Sequence, residues 1–349
     1  MAFRVLVAGG AGLVGSAVAT QLLAEGADVA VVDALADRGD GRSVREERIR
    51  ALRVAFPRVT IVTADLTLPG AASDVFRDVR PAAVVNAAVF PPGGQGVVSM
   101  LEALRSGETP FFVHLSDGAL YGPPPEPGRP AIEDEPVDPG RDPVLLQRLV
   151  EESHLRGSGV PNVILRLFDL LAPGAPVNRF PQGALEALLD GEEVVLPSDA
   201  PRDLLHVRDA VHGILAALAL RPAGRTINLG SGKGVAPSQL VRLLAERAFR
   251  PLRIRVGEAP ARPGRVASLA RAGELLRFRA MTSVEASVEE IVGARLGAPE
   301  SATSRRGTPP REAPWPAPPR APGRAEPKEV SRRELFGLFR RPFDGGRSR

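Results

Sequence analysis

Short apolar runs recur along the first two thirds of the chain, separated by stretches that are polar or helically periodic. Val5-Leu6-Val7-Ala8, Val29 to Val32, Val59 to Thr63, Ala82 to Ala88, Phe111 to Leu115, Asn162 to Phe168 and Arg225 to Leu229 all read as strands. Several are apolar at every position, as expected of parallel strands covered on both faces. Between them the pattern predicts helices after the first strand, from about Val97 to Arg105 and from about Pro143 to Leu155, with a polar, arginine-rich loop and surface helix running to Arg53. Strands alternating with helices predict a doubly wound α/β sheet. Beyond Leu171 the rhythm becomes irregular, which places a smaller lobe at about 172–297, while 203–232 returns to the domain formed by 1–171. From Ala298 onward Pro, Arg, Ala, Ser and Gly dominate, and such a composition cannot bury enough apolar surface to order itself.

Composition changes this picture in one respect. Residues from Ala298 onward carry twelve basic and six acidic side chains, a net of +6, so the preceding chain holds −2 of the +4 total. The basic character belongs to the tail, and the globular part is not expected to bind nucleic acid. Within the tail, 331–343 could form a short apolar face bracketed by arginine pairs, a candidate contact for a protein or an anionic membrane surface. Cysteine is absent, which excludes disulfides, thiolate metal sites and cysteine nucleophiles, and no metal site is expected. With a strand opening at residue 3 and no apolar run of membrane-spanning length, a cytoplasmic location is expected.

The candidate chemistry starts at the first strand. Gly9, Gly12 and Gly15 follow it at G-x-x-G-x-x-G spacing, the second apolar run ends in Asp33, and the whole has the order of a Rossmann dinucleotide site. One glycine allows the turn, one lets backbone approach a pyrophosphate, and one packs helix on strand. Leu13 and Val14 lie on the first helical turn, whose free N–H groups and positive dipole end suit an anion. Asp33 stands where a carboxylate can accept the ribose hydroxyls, which predicts NAD rather than NADP, although Arg38 and Arg42 are near in sequence.

These residues, with ADL at Ala64 to Leu66, VVNAA at Val84 to Ala88, LSDGALYG at Leu115 to Gly122, VILRLFD at Val163 to Asp169, RDLLHVRDA at Arg202 to Ala210, INLGSG at Ile227 to Gly232 and RPG at Arg262 to Gly264, resemble the NAD-dependent epimerase/dehydratase group of extended short-chain dehydrogenase/reductases. The resemblance covers about 3–297. It implies that Asp65, Leu66 and Ala87 join the glycine turn and Asp33 around the cofactor, that Asp169, Arg202 and Arg262 face a nucleotide-sugar diphosphate, and that a homodimer forms through the two predicted helices.

The same resemblance exposes departures. The family's chemistry uses a Tyr-x-x-x-Lys pair and a Ser or Thr at the end of the fifth strand. Tyr121 is the one tyrosine, lysine occurs only at Lys233 and Lys328, and no such pair exists in the chain. Val144 and Arg148 fall at the Tyr and Lys positions, Asp117 falls at the Ser position, and Asp169 replaces an Asn with a carboxylate that would repel phosphate. Asp117 is the candidate base and Arg148 the candidate ribose holder. Two readings follow: an NAD-dependent enzyme on a nucleotide-sugar-like substrate with altered acid/base residues, or a catalytically inactive NAD-binding sensor or assembly protein that docks partners through its tail.

Overall fold

A computed structural model describes residues 3–36, 41–104, 109–257 and 264–297. The first half alternates regularly: β1 (Arg4–Ala8), α1 (Leu13–Ala24), β2 (Asp28–Asp33), α2 (Arg42–Ala55), β3 (Thr60–Thr63), α3 (Ala71–Val79), β4 (Ala83–Asn86), α4 (Gly96–Leu104), β5 (Phe111–Asp117), α5 (Pro143–Gly157) and β6 (Asn162–Leu167). Shorter elements follow: β7 (Asp169–Leu171), α6 (Gln182–Leu189), β8 (Val194–Leu196), β9 (Arg202–His206), α7 (Val207–Leu220), β10 (Arg225–Leu229), β11 (Gly234–Val235), α8 (Pro237–Ala248), β12 (Ile254–Val256), α9 (Ala270–Leu276) and α10 (Val284–Leu296).

Seven strands form one sheet in the order β10-β6-β5-β4-β1-β2-β3, every neighbour parallel. The α/β, doubly wound reading is therefore correct. Alternation along each strand sends side chains to two cores. Val5, Val7, Val29, Val31, Val85 and Val113 face α1, α2 and α7, which contribute Val18, Leu22, Ile49, Leu52 and Ile214. Leu6, Ala8, Ala30, Val32, Val84 and Phe112 face α3, α4 and α5 through Phe76, Val79, Met100 and Leu155. Such strands have no wet face, and their near-continuous apolar sequence made them legible.

Two smaller sheets lie outside this plane: β11-β9-β7, and β8 paired in parallel with β12. Leu171, Leu185, Leu188, Val194, Leu240, Leu244 and Ile291 pack as a core of their own beside them. Strand order reverses between β1 and β4, because β2 and β3 extend to one side of β1 and β4 to β6 to the other. The carboxyl edge at that switch is where open α/β sheets leave a crevice. Among the described residues no helix is long and apolar enough to cross a membrane. Arg38, Arg105, Arg262 and the tail from Ala298, including 331–343, lie outside the described residues.

Candidate functional site

A crevice of about 510 Å³ opens at the switch point, a size suited to a small-molecule ligand. Its first wall is the turn between β1 and α1, and the turn is set by backbone crowding. Gly9 has φ +72°, and a Cβ on it would lie 2.6 Å from the Ala88 backbone. A Cβ on Gly15 would lie 2.2 Å from the Gly9 carbonyl oxygen, so only glycine lets α1 start this close to β1. Gly12 caps the helix with no side chain, leaving the N–H groups of the first turn without intrahelical partners. Gly9, Gly12, Leu13 and Val14 line the crevice; Gly15 does not, and packs behind it. A bare helix N-terminus behind a cradle that side chains would fill fits a pyrophosphate.

Asp33, at the end of β2, lines the same crevice and is 6% exposed. Its carboxylate accepts the N–H groups of Ala11 and Leu35 and pairs with Arg45 at 3.2 Å. Among the described residues the arginine beside Asp33 is Arg45, not Arg42, which pairs with Glu46 on the surface. Arg45 was missed in the sequence, yet it lies four and seven residues before Ile49 and Leu52, the two buried residues of α2, on the same helical face. Asp65, Leu66 and Ala87 also line the crevice, and Asp65 closes its turn by accepting from the Thr67 N–H and hydroxyl.

The far wall holds Ser116, Asp117, Phe168, Asp169, Phe180 and Arg202. Asp117 caps the short 3-10 turn Gly118–Tyr121 by accepting from the Ala119 N–H at 2.8 Å. Asp169 holds Arg202 through paired contacts of 2.7 and 2.6 Å, and Arg202 stacks on Phe180. Burial alone would lower the proton affinity of Arg202, but Asp169 and then Asp117 raise it, so the guanidinium stays charged.

Arg148 is elsewhere. It does not line the crevice; it is 8% exposed beneath the end of β4, where it donates to the Ala88 carbonyl and to Glu151. Val144, one turn earlier on α5, is 40% exposed. Tyr121 is buried and donates to Asn228 at 2.6 Å, with Arg166 over one ring face. Burial raises its pKa above the ordinary tyrosine value.

Below the crevice floor lies a set of buried polar groups whose pairing the sequence pattern does not show. Ser116 donates to Glu152 at 2.6 Å, and Glu152 grips Arg166 through contacts of 3.0 and 2.7 Å. Burial would raise the Glu152 pKa, but Arg166 outweighs it and the carboxylate stays ionised. Alongside, the Asn86 amide meets His114 Nδ1 at 3.0 Å, and His114 Nε2 faces Glu151 at 3.6 Å. Burial, aided by Arg148, pushes the His114 pKa down to about 3, so the ring is neutral. His206 caps α7 by accepting the Arg208 N–H, a structural task. Among the described residues no cluster is built to hold a metal ion.

Comparison with known proteins gives this geometry a family. The model of the NAD dependent epimerase/dehydratase family matches residues 5–230. The UDP-glucose 4-epimerase of Schizosaccharomyces pombe is 28% identical over 327 residues, covering 80% of this chain and 90% of that protein. The UDP-glucose 4-epimerase of Mycolicibacterium smegmatis is 29% identical over 278 residues, covering 71% and 83%. Among solved structures, UDP-glucuronic acid 4-epimerase of Bacillus cereus, in complex with UDP-glucuronic acid and NAD, shares the fold with a TM-score of 0.74 at 20% identity, covering 84% of this chain and 99% of that one.

Proposed function

Because the chain belongs to the NAD-dependent epimerase/dehydratase family, we propose that it holds NAD in the crevice and acts on a nucleotide-sugar-type ligand bound beside it, with acid/base residues other than the family's. The observation that carries this is the continuity of one crevice from Gly9, Gly12 and Asp33 to Asp117, Asp169 and Arg202. NAD, when bound, supplies a hydride acceptor. The protein's part is to seat the pyrophosphate on the α1 N-terminus, the adenosine ribose near Asp33, and the ligand near Arg202. Asp117 is then the carboxylate positioned to take a proton from a sugar hydroxyl. Asp65, Leu66 and Ala87 complete the cofactor wall, and Arg262 belongs with Arg202 by resemblance. The irregular segment 172–297 would form most of the ligand side, consistent with the sheets and core that β7, β8, β9, β11 and β12 build outside the main plane.

A second reading has its own support. The one tyrosine hydroxyl is committed to Asn228, Val144 carries no proton to give, and Arg148 is held by Glu151 and Ala88 outside the crevice. A protein so arranged could hold NAD without turning anything over, as a sensor or assembly protein.

One experiment separates them. The purified protein is titrated with NAD and then incubated with UDP-, GDP- and dTDP-sugars while nicotinamide absorbance and product sugars are followed. Turnover that falls by about a hundredfold or more in Asp117→Asn supports the first reading. Turnover that survives removes Asp117 as base. Tight NAD binding with no turnover across the panel favours the second.

A further inference from the structure

We infer that the adenosine end of the crevice also accepts a 2′-phosphate, so that the protein binds NADP as well as NAD, with Arg45 as the residue that decides between them. The inference rests on the crevice holding a dinucleotide as proposed above. A carboxylate at the end of the second strand selects NAD in two ways: it accepts the ribose hydroxyls, and its charge repels a 2′-phosphate. Asp33 is compromised in both.

Its acceptor sites come first. Oδ1 accepts the Leu35 N–H at 2.9 Å and Arg45 Nη1 at 3.2 Å. Oδ2 accepts the Ala11 N–H at 3.0 Å and the same Arg45 nitrogen at 3.3 Å. A carboxylate offers about four lone-pair sites, and two backbone N–H groups plus a guanidinium nitrogen shared between both oxygens engage most of them. Ribose hydroxyls therefore reach Asp33 in competition with Arg45.

Charge comes second. The side chains of Arg45 and Asp33 are 12% and 5% exposed, so the pair is sheltered from salt and its two charges cancel where a 2′-phosphate would sit. Arg45 itself lines the crevice. A guanidinium is a planar fork of five donors whose geometry matches phosphate oxygens, and α2 delivers it from a helix anchored by Ile49 and Leu52. With NAD the ribose competes with Arg45 for Asp33; with NADP the phosphate takes Arg45 as its partner and leaves the Asp33 hydrogen bonds to backbone intact.

The test is calorimetric titration of the full chain with NAD, NADP, AMP and adenosine 2′,5′-bisphosphate. In the unaltered protein NADP is expected to bind within about tenfold of NAD, and the bisphosphate more tightly than AMP. Arg45→Ala should weaken NADP by about tenfold or more while leaving NAD equal or tighter, and Arg45→Lys should recover part of the loss. NAD binding with NADP weaker by about a hundredfold or more in the unaltered protein overturns the inference alone. An unchanged NADP to NAD ratio in Arg45→Ala does the same. If neither dinucleotide binds, the cofactor reading itself falls and this inference with it. Should Arg45→Ala fail to fold, the ratio in the unaltered protein and in Arg45→Gln still decides.

Discussion

Around Gly9 to Gly15 backbone lies against backbone, and a single added carbon on Gly15 would meet the Gly9 carbonyl oxygen at 2.2 Å. Under Ser116, by contrast, side chains from β5, α5 and β6 meet: a hydroxyl, Glu152 and Arg166, joined by contacts of 2.6 to 3.0 Å. The first wall is specified by what is absent from a side chain, and its residues lie within seven positions of one another. The second is specified by polar groups drawn from 50 residues of sequence, with its two paired charges 14 positions apart. The first wall can be damaged only by adding atoms. The second fails when one partner is removed, because the other is then a buried, uncompensated charge.

The largest effect should accordingly come from the floor. Glu152→Ala strands Arg166, which is 2% exposed, and is expected to cost about 3–5 kcal/mol in urea denaturation, the range for breaking a buried pair from one side. Glu152 touches the crevice only through Ser116, so the folded fraction should keep its NAD affinity. A loss below about 1 kcal/mol would mean that the pair behaves as a surface one, and that the contrast between the two walls is not one of buried charge.

How much of this could be read beforehand follows from the same contrast. The glycine turn and Asp33 are contiguous, and their residue types have few other uses in that order, so the sequence pointed to them directly. Asp117, Asp169 and Arg202 also line the crevice. Arg148 could not be located from sequence. Its helix was recognised, but whether its guanidinium reached the crevice depended on Glu151, the next turn's carboxylate, drawing it down at 3.0 Å. Nor did any local pattern say that His114, in an otherwise apolar strand, would find Asn86 one strand away. Partner choice between neighbouring strands is set by register, which the hydrophobic pattern of one strand does not contain.

His114 offers a test of intermediate size. Its pKa falls from 6.5 unfolded to about 3 folded, so the unfolded chain binds a proton in that window and the native state does not. Its neutral burial therefore costs nothing above the ordinary histidine value, and stability is lost as pH drops through that value toward 3. The slope is about 1.4 kcal/mol per pH unit, or about 2 kcal/mol between pH near 7 and pH near 5. Comparing denaturation midpoints of the unaltered protein and His114→Phe at both pH values isolates it, since other groups titrate in both. If the two proteins lose stability in parallel, His114 is not the buried neutral group that the Asn86 and Glu151 contacts describe.

The smallest stability effect is expected where charge meets the open crevice. Asp169 and Arg202 are 42% and 33% exposed, so solvent screens their pair and Asp169→Asn should change stability by no more than about 1 kcal/mol. Its consequence for binding has the opposite sign. Asp169 occupies the Nε and Nη2 edge of Arg202, the edge a diphosphate would need for paired hydrogen bonds. Neutralising Asp169 removes both the competitor and a repelling charge, so the affinity for UDP, titrated alone, should rise by a few fold, equivalent to about 0.5–1 kcal/mol. A fall in UDP affinity instead would show that Asp169 fixes the guanidinium in its binding pose. The far wall would then be as preorganised as the glycine turn, with an ion pair in the place of crowded backbone.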